Sequence, residues 1–317
     1  MQVSHTDLAV QKLRERGYKA ADVHVHTSHS RDVATIDELS AKKLYEKAEK
    51  KRMDFITFTD HDTIRAHKKK LGDKHVSGVE LSVNDSEIGF EVHINIYCVN
   101  TKQFDYLKKN QDDIKKVLAY CNKHSLPHTY NHPFWFAKKD YSYVAKNPKQ
   151  VYASICWLIK HIDVIEINHS RPAYQNILAK QLAKKYHKAL ITGTDTHTGN
   201  IAGAYTLAQG DTFNEWFENV KNHKGVLVAE KTSDHFFDIE AYQYMKHLMR
   251  PRKDSISIET DNVLADAIIR YTNTFTTLSR ITKPVLWPVV ALATRSGVAR
   301  KWYFFMQKHY TNKMVSY

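Results

Sequence analysis

Cysteine is scarce in this 317-residue chain, with Cys98, Cys121 and Cys156 the three present. They are odd in number, widely spaced and set in apolar or helical surroundings. That pattern argues against a disulfide framework or a CxxC zinc site and leaves buried thiols. Long apolar runs are also missing. The longest, near residues 285–293, falls short of the roughly 20 residues a membrane-spanning helix needs. Residues 1–19 hold no apolar stretch or small-residue cleavage site of the secretory kind, so a cytoplasmic location is the expectation. There is no internal repeat, no low-complexity tract and no G-x-S-x-G elbow that would present a serine nucleophile. Acidic residues are in deficit, 34 Asp and Glu against 47 Lys and Arg, a formal net charge of +13. The surplus favours an anionic partner without naming one: nucleotide, sugar phosphate, nucleic acid and acidic lipid all qualify.

What is present is an alternation. Short β-branched or aromatic runs at residues 21–25, 55–58, 93–98, 127–130, 164–167, 189–192 and 226–229 read as strands. Between them, amphipathic stretches at 36–51, 104–124, 151–160, 171–187 and 213–221 read as helices. An α/β fold of repeating strand and helix follows. His24, His26, Asp60, His61, His132, Asn168, Asp195 and His197 then fall in or just past the C-terminal ends of strands, where barrel enzymes gather their chemistry from separate loops. Past about Asp234 the alternation stops, and residues 238–249, 261–280 and 287–307 read as helices. The chain is expected to divide into a barrel over 1–235 and a helical C-terminal extension over 236–317.

The residues that carry chemistry come in short runs. Asp22-Val-His24-Val-His26-Thr27 sets two histidines two apart; on a strand both imidazoles point to one face and can grip one metal, with Asp22 nearby to support them. Alone, such a pair reads equally as two surface histidines. Thr59-Asp60-His61-Asp62-Thr63 follows a strand, where an Asp-rich turn is the plainer alternative. Then come Gly78-Val79-Glu80, His93 within a hydrophobic strand, Asn131-His132-Pro133, and Gly193-Thr-Asp195-Thr-His197. Five strand ends delivering mostly imidazole with a minority of carboxylate are what zinc, manganese or iron sites require.

Taken together, these runs resemble the polymerase and histidinol phosphatase (PHP) family, a superfamily of metal-dependent phosphoesterases. The resemblance covers residues 20–200. It lies in Asp22 to Thr27 with the loop Ser28-His29-Ser30-Arg31-Asp32, in Thr59 to Thr63, in Gly78 to Glu80, in the His-Pro at His132, and in Gly193 to His197, in that order. It implies a distorted (β/α)7-type barrel and a cluster of two to three divalent metal ions, zinc, manganese or iron. Residue by residue it implies one metal held by His24, His26, Glu80 and Asp195. A second would be held by Glu80 as bridge with His93 and His132, and a third by Asp32, His61 and His197. In many members the acid after His-x-His stands five past the second histidine, where this chain has Arg31, so His29 is a rival to Asp32. His67 and His75 are rivals to His93, which is chosen for its strand context and motif order.

The implied chemistry is hydrolysis of a phosphate ester by a water shared between the ions and deprotonated near neutral pH. Asp60, Asp62 and His169 stand near the implied loops as candidates to protonate the leaving group. Arg171, after the strand-end segment Ile165-Glu166-Ile167-Asn168-His169-Ser170, could fork onto a substrate phosphate, with Arg31 and Arg65 as further candidates. Trp135 and Phe134 could stack a base or sugar, or pack their own loop. The expected substrate is a small soluble phosphorylated metabolite or nucleotide; the alternative is a nuclease or 3′-end phosphatase acting on nucleic acid. In the extension, residues 283–293 lead to Arg295, Arg300, Lys301 and Trp302-Tyr-Phe-Phe305. Aromatics with cations suit either a peripheral membrane contact or helices packed on the barrel or a homo-oligomer partner, packing being preferred.

Overall fold

The computed structural model describes residues 2–4 and 7–248, with the single positions 301 and 311. Its strands are β1 (Gln2–Ser4), β2 (Tyr18–Asp22), β3 (Phe55–Thr57), β4 (His75–Val76), β5 (Gly78–Val83), β6 (Val92–Tyr97), β7 (His128–Tyr130), β8 (Val164–Asn168), β9 (Ala189–Gly193), β10 (Ala204–Gln209) and β11 (Val226–Ala229). Its helices are α1 (Asp7–Glu15), α2 (Ala41–Lys50), α3 (Thr101–Lys109), α4 (Ile114–Lys123), α5 (Tyr141–Lys146), α6 (Pro148–His161), α7 (Ala173–Lys185), α8 (Phe213–Asn219) and α9 (Ser233–Leu248).

Local chemistry sets several of these ends. Asn100 and Gln103 form a reciprocal capping box at the start of α3, and Thr212 with Glu215 do the same for α8. The single helix expected over 104–124 is two, because the Asp113 side chain accepts the Lys116 N–H at 3.0 Å and begins α4 afresh. Two strands absent from the sequence reading, β5 and β10, are buried along almost their whole length, so neither shows the apolar-polar alternation that marks a half-exposed strand.

The fold is mixed α/β. One sheet runs in the order β1-β11-β10-β2-β3-β4 and the other β5-β6-β7-β8-β9. The expected succession of parallel strands holds for β2 with β3 and for β7 with β8 and β9. It fails where β6 pairs antiparallel with both β5 and β7 and where β10 pairs antiparallel with β2 and β11; β5 and β6, Glu80 opposite Asn95, have no helix between them, since an antiparallel neighbour needs no crossover. The two sheets meet at two isolated parallel bridges, Val25 to Thr196 and His61 to Glu80. Both bridges lie among the sequence-predicted ligands.

Three apolar clusters hold this frame. One packs β5 to β8 against the helices between them, with Leu81, Ile94, Val117, Ile155 and Ile165 all buried. A second packs Leu39, Leu44, Met53 and Phe58 with Leu207 and Val228 on the first sheet. The third joins strands of both sheets to α8 through Ala21, Val23, Phe55, Tyr97, Ile191 and Trp216. Fully burying a side chain of that size contributes about 1.5–3 kcal/mol. This third cluster takes in the first residues of β3, β8 and β9, Phe55, Val164 and Ala189. The three cysteines are free thiols, Cys121 buried and the others half-buried. Among the described residues no helix is long and apolar enough to cross a membrane. The boundary expected at 235/236 falls inside α9, and the helices expected over 261–280 and 287–307, with the aromatic and basic run near Lys301, lie outside the described residues apart from isolated positions.

Candidate metal centre

Beyond β2 the chain stays extended, so His24 and His26 reach the same cluster as the two-residue period requires. It is held from both sides: the His26 N–H donates to the Thr196 carbonyl at 3.1 Å, the Asp195 N–H to the His24 carbonyl at 2.8 Å, and the Thr59 N–H to the Val25 carbonyl at 2.8 Å. Asp22 meets the pair through the backbone of His24 and bonds neither imidazole. Its oxygens accept from the Thr194 N–H at 3.0 Å, the Thr194 hydroxyl at 2.7 Å and the Ala202 N–H at 2.9 Å, so it fixes the loop that carries Asp195. His132 and Asp195, whose side chains reach the centre, and Asp62, which lines the cavity beside it, have φ of 27°, 50° and 54°, left-handed values that a non-glycine residue adopts at some cost.

Nine buried or half-buried residues converge: His24, His26, Asp32, His61, Glu80, His93, His132, Asp195 and His197. Three overlapping groups among them, His24-His26-Glu80-Asp195, His26-Asp32-His61-His197 and His61-Glu80-His93, each keep their ligand atoms within 4.8 Å of one another. In the first group His24 Nε2 lies 3.2 Å from His26 Nε2, 3.0 Å from Glu80 Oε2 and 3.3 Å from Asp195 Oδ1. His26 Nε2 lies 3.2 Å from Glu80 Oε2 and 3.1 Å from Asp195 Oδ1. Ligand atoms sharing one ion at about 2.0–2.2 Å are themselves roughly 3.0–3.5 Å apart. Two imidazole nitrogens facing each other and the same carboxylate oxygens cannot all be satisfied by hydrogen bonds. His61 Nδ1 and His93 Nδ1, moreover, are buried with no hydrogen-bond partner, while standing 3.4 and 3.1 Å from Glu80. The donor set therefore fits divalent metal ions.

Glu80 is the hinge of the arrangement. Its Oε2 faces His24, His26 and His61, and its Oε1 faces His93 at 3.1 Å and His132 at 3.2 Å while accepting from Asn131 Nδ2 at 2.9 Å. Partners behind the ligands fix the rings. His24 Nδ1–H donates to Glu166 Oε1 at 2.8 Å, His93 Nε2–H to Glu91 Oε1 at 2.8 Å, and His197 Nδ1–H to the Asp195 carbonyl at 3.0 Å, which leaves each ring's other nitrogen for the centre.

Without metal the cluster holds charge on His24, His26 and His93. Burial opposes protonation of His26, but its hydrogen bonds to Asp195 and Glu80 outweigh that and raise its pKa to about 10; the charge of Glu80 and the hydrogen bond to Glu91 raise His93 to about 9. Burial also opposes ionisation of Glu80, Asp195 and Asp32, yet the surrounding imidazoles hold all three well below the usual carboxylate range. His132 goes the other way, to about 3, because burial and the Arg171 charge disfavour its cation. A neutral His132 is ready to ligate.

The rivals fall elsewhere. His29 is exposed, and His67 and His75 pair with each other at 2.8 Å behind Phe58. Asp32 instead reaches His197 Nε2 at 2.7 Å and His61 Nε2 at 3.2 Å. The proton-donor candidates divide. Asp60 is fully buried with its oxygens taken by the Thr27 N–H at 2.6 Å and the Thr27 hydroxyl at 2.8 Å, so it braces the His-x-His segment and does not line the cavity. His169 is also outside it, donating to the Lys231 carbonyl at 2.6 Å. Asp62 does face the cavity, already accepting from Arg31 at 2.6 Å and the Ser82 N–H at 3.0 Å.

The cavity beside the cluster measures about 610 Å³. Arg171 lines it, 5.1 Å above the Trp135 ring and 2.6 Å from Asp195 Oδ2, and Arg31 lines it next to Asp62. Arg65 does not: it is exposed and bonded to Thr63. Phe134 is buried in the core while Trp135 borders the cavity. Sequence reasoning missed Lys108, Lys139, Glu91, Glu240 and Tyr244 on the cavity wall, and Asn131 and Glu166 as partners of the ligands. Only the place of Asn131 and Glu166 inside the quoted motifs could have flagged them.

No protein-family model and no curated protein sequence matches the chain. In structure it is similar to PsfC from Pseudomonas syringae PB-5123, with a TM-score of 0.53 and 12% identity over 73% of this chain and 99% of that one. It is also similar to the lesion-specific endonuclease PfuEndoQ from Pyrococcus furiosus, at a TM-score of 0.46 and 14% identity over 66% of this chain and 57% of that one. A third likeness is to an amidohydrolase from Chromobacterium violaceum, at 0.37 and 12% over 56% and 87%. At these identities the likeness to PsfC is one of fold.

Proposed function

We propose that the chain is a metal-dependent phosphoesterase of the polymerase and histidinol phosphatase type, acting on a small phosphorylated metabolite or nucleotide. The observation that carries this is Glu80, whose two oxygens face two different sets of imidazoles, with His24, His26 and Asp195 completing one and His93 and His132 the other. In this reading strands β2, β3 and β5 to β9 act as a distorted seven-stranded barrel joined through the two isolated bridges. Asp32, His61, His197 and the shared His26 form a third site.

When bound, two or three ions of zinc, manganese or iron would supply an activated water and polarise the phosphoryl group. The chain's own residues do the rest. Glu166, Glu91 and the Asp195 carbonyl hold the imidazoles in the tautomer that presents a lone pair to the centre. Arg171, stacked on Trp135 at the edge of the cavity, orients a phosphate by charge-assisted hydrogen bonds. Arg31 keeps Asp62 at the cavity wall, where that carboxylate can order a water. The cavity is of the size that takes one small molecule.

Metal analysis of the purified protein, paired with a screen of phosphate mono- and diesters in added manganese, tests the reading. We expect bound or readily reconstituted transition metal and hydrolysis of a small ester. Metal-free protein that cannot be reconstituted, or a loaded protein inert on every ester, would overturn it. A salt titration separates the small-ester substrate from nucleic acid, since several phosphate contacts give a steep log-log slope and one gives a shallow one.

A further inference from the structure

Helix α9 is built into the site. Phe237, Glu240, Ala241, Tyr244 and Met245 all line the cavity, and their spacing of three, four, seven and eight puts them on one helical face. Glu240 is buried, and its carboxylate accepts from the Thr196 hydroxyl at 3.1 Å on each oxygen, the Thr198 hydroxyl at 2.8 Å and the His197 N–H at 3.2 Å. One side chain thus takes up the two hydroxyls flanking His197 and that residue's own backbone donor. One turn on, the Tyr244 hydroxyl donates to the Asp32 carbonyl at 2.9 Å, and Asp32 in turn contacts His197.

The helix is seated firmly at its start. The Phe236 ring packs on Gly203, where a Cβ would come within 2.3 Å of it, and His169 meets the same ring edge-on at 5.4 Å. Asp234 accepts the Ala173 N–H at 3.1 Å. Burying a carboxylate is costly unless it is fully hydrogen-bonded, and here all the bonds run to one loop, the one that carries His197.

We propose that α9 is the wall that limits the substrate to a small ester, and that Glu240 is a positioning residue that sets His197 and, with Tyr244, Asp32. The proposal rests on the phosphoesterase reading. The helix lies over the Asp32 and His197 side of the cavity, so a phosphate within a polymer would have to displace it.

Two measurements test this on the full chain. The first is calorimetric titration of metal-free protein with manganese, wild type against Glu240→Ala and Glu240→Gln, with thermal melts as a check on folding. We expect Glu240→Ala to weaken manganese binding by about 10- to 100-fold. Glu240→Gln, which keeps the volume and one acceptor oxygen, should fall between and covers the case where the alanine variant does not fold. The second is the ratio of kcat/KM for p-nitrophenyl phosphate to that for a 3′-phosphorylated decanucleotide. The double variant Phe237→Ala, Met245→Ala should shift that ratio at least about tenfold towards the oligonucleotide, and Ala241→Phe should not. A folded Glu240 variant with the wild-type isotherm, or a ratio unmoved by widening the wall, overturns the proposal while the phosphoesterase reading stands. A wild type that binds no manganese and hydrolyses neither ester ends both.

Discussion

Glu80→Gln keeps the side-chain volume, removes its charge and replaces one oxygen by an NH2. The buried oxygens of Glu80 lie 3.0–3.4 Å from five imidazole nitrogens, three on Oε2 and two on Oε1. Whichever way the amide turns, a donor now faces one of those sets, and a donor cannot ligate a cation. In the metal-free protein the loss has a second face. Glu80 is among the carboxylates that keep His24, His26 and His93 protonated against the effect of burial. Removing one partner of a buried ionic cluster costs about 3–5 kcal/mol, and at about 2–4 °C per kcal/mol for a domain of this size the melting temperature should drop by roughly 6–20 °C. Asp32→Ala offers the comparison, because among the described residues Asp32 pairs with two imidazole nitrogens, His197 Nε2 at 2.7 Å and His61 Nε2 at 3.2 Å, against five for Glu80. The assay is metal content by elemental analysis together with melts in chelator and in manganese. Glu80→Gln should lose more metal than Asp32→Ala and gain less from manganese. If it retains the wild-type metal content, or suffers less than Asp32→Ala, Glu80 does not bridge two sites.

Replacing His24 and His26 together by alanine should abolish ester hydrolysis and lower bound metal while circular dichroism stays native; persisting turnover would remove these residues from the centre. For the metal-free protein the pH dependence has a definite sign. His26 and His93 are raised from 6.5 to about 10 and about 9, so their contribution to stability is complete below pH 6.5 and is lost as pH rises through those values. Its melting temperature should fall between pH 6.5 and 10, and metal binding should tighten over the same window with release of protons, measurable by calorimetry in buffers of different ionisation enthalpy; a rising melting temperature there would contradict the charge assignment. Arg171→Ala should raise KM for a phosphate ester by about 10- to 100-fold, the worth of a hydrogen bond to a charged group, and an unchanged KM would place the phosphate elsewhere.

The residues of the candidate cluster were legible in the sequence because their signal is local. His24 and His26 share a face by the two-residue period of an extended chain, and Asp60-His61, His132-Pro133 and Asp195-Thr-His197 each sit beside a strand that the pattern of apolar residues reveals, while Glu80 was found by its Gly-x-Glu run alone. Even the choice of Asp32 over His29 was open only by one position. What tertiary structure alone decided is which polar residues stand behind those ligands. Glu166 meets His24 across 142 positions, Asn131 meets Glu80 across 51, and Glu240 meets the Thr196 hydroxyl across 44. In a one-dimensional reading Glu240 looks like any solvated helix face, and the motifs around Asn131 and Glu166 mark those two as candidates without recording which ligand each one meets. The same holds for β5 and β10, whose burial on both faces erases the alternation by which a strand announces itself. It holds most of all for α9, which reads in sequence as the start of an appendage: five of its residues line the cavity, held there by tertiary contacts such as Phe236 on Gly203, Asp234 on the Ala173 N–H and Glu240 on the loop of His197 rather than by any motif.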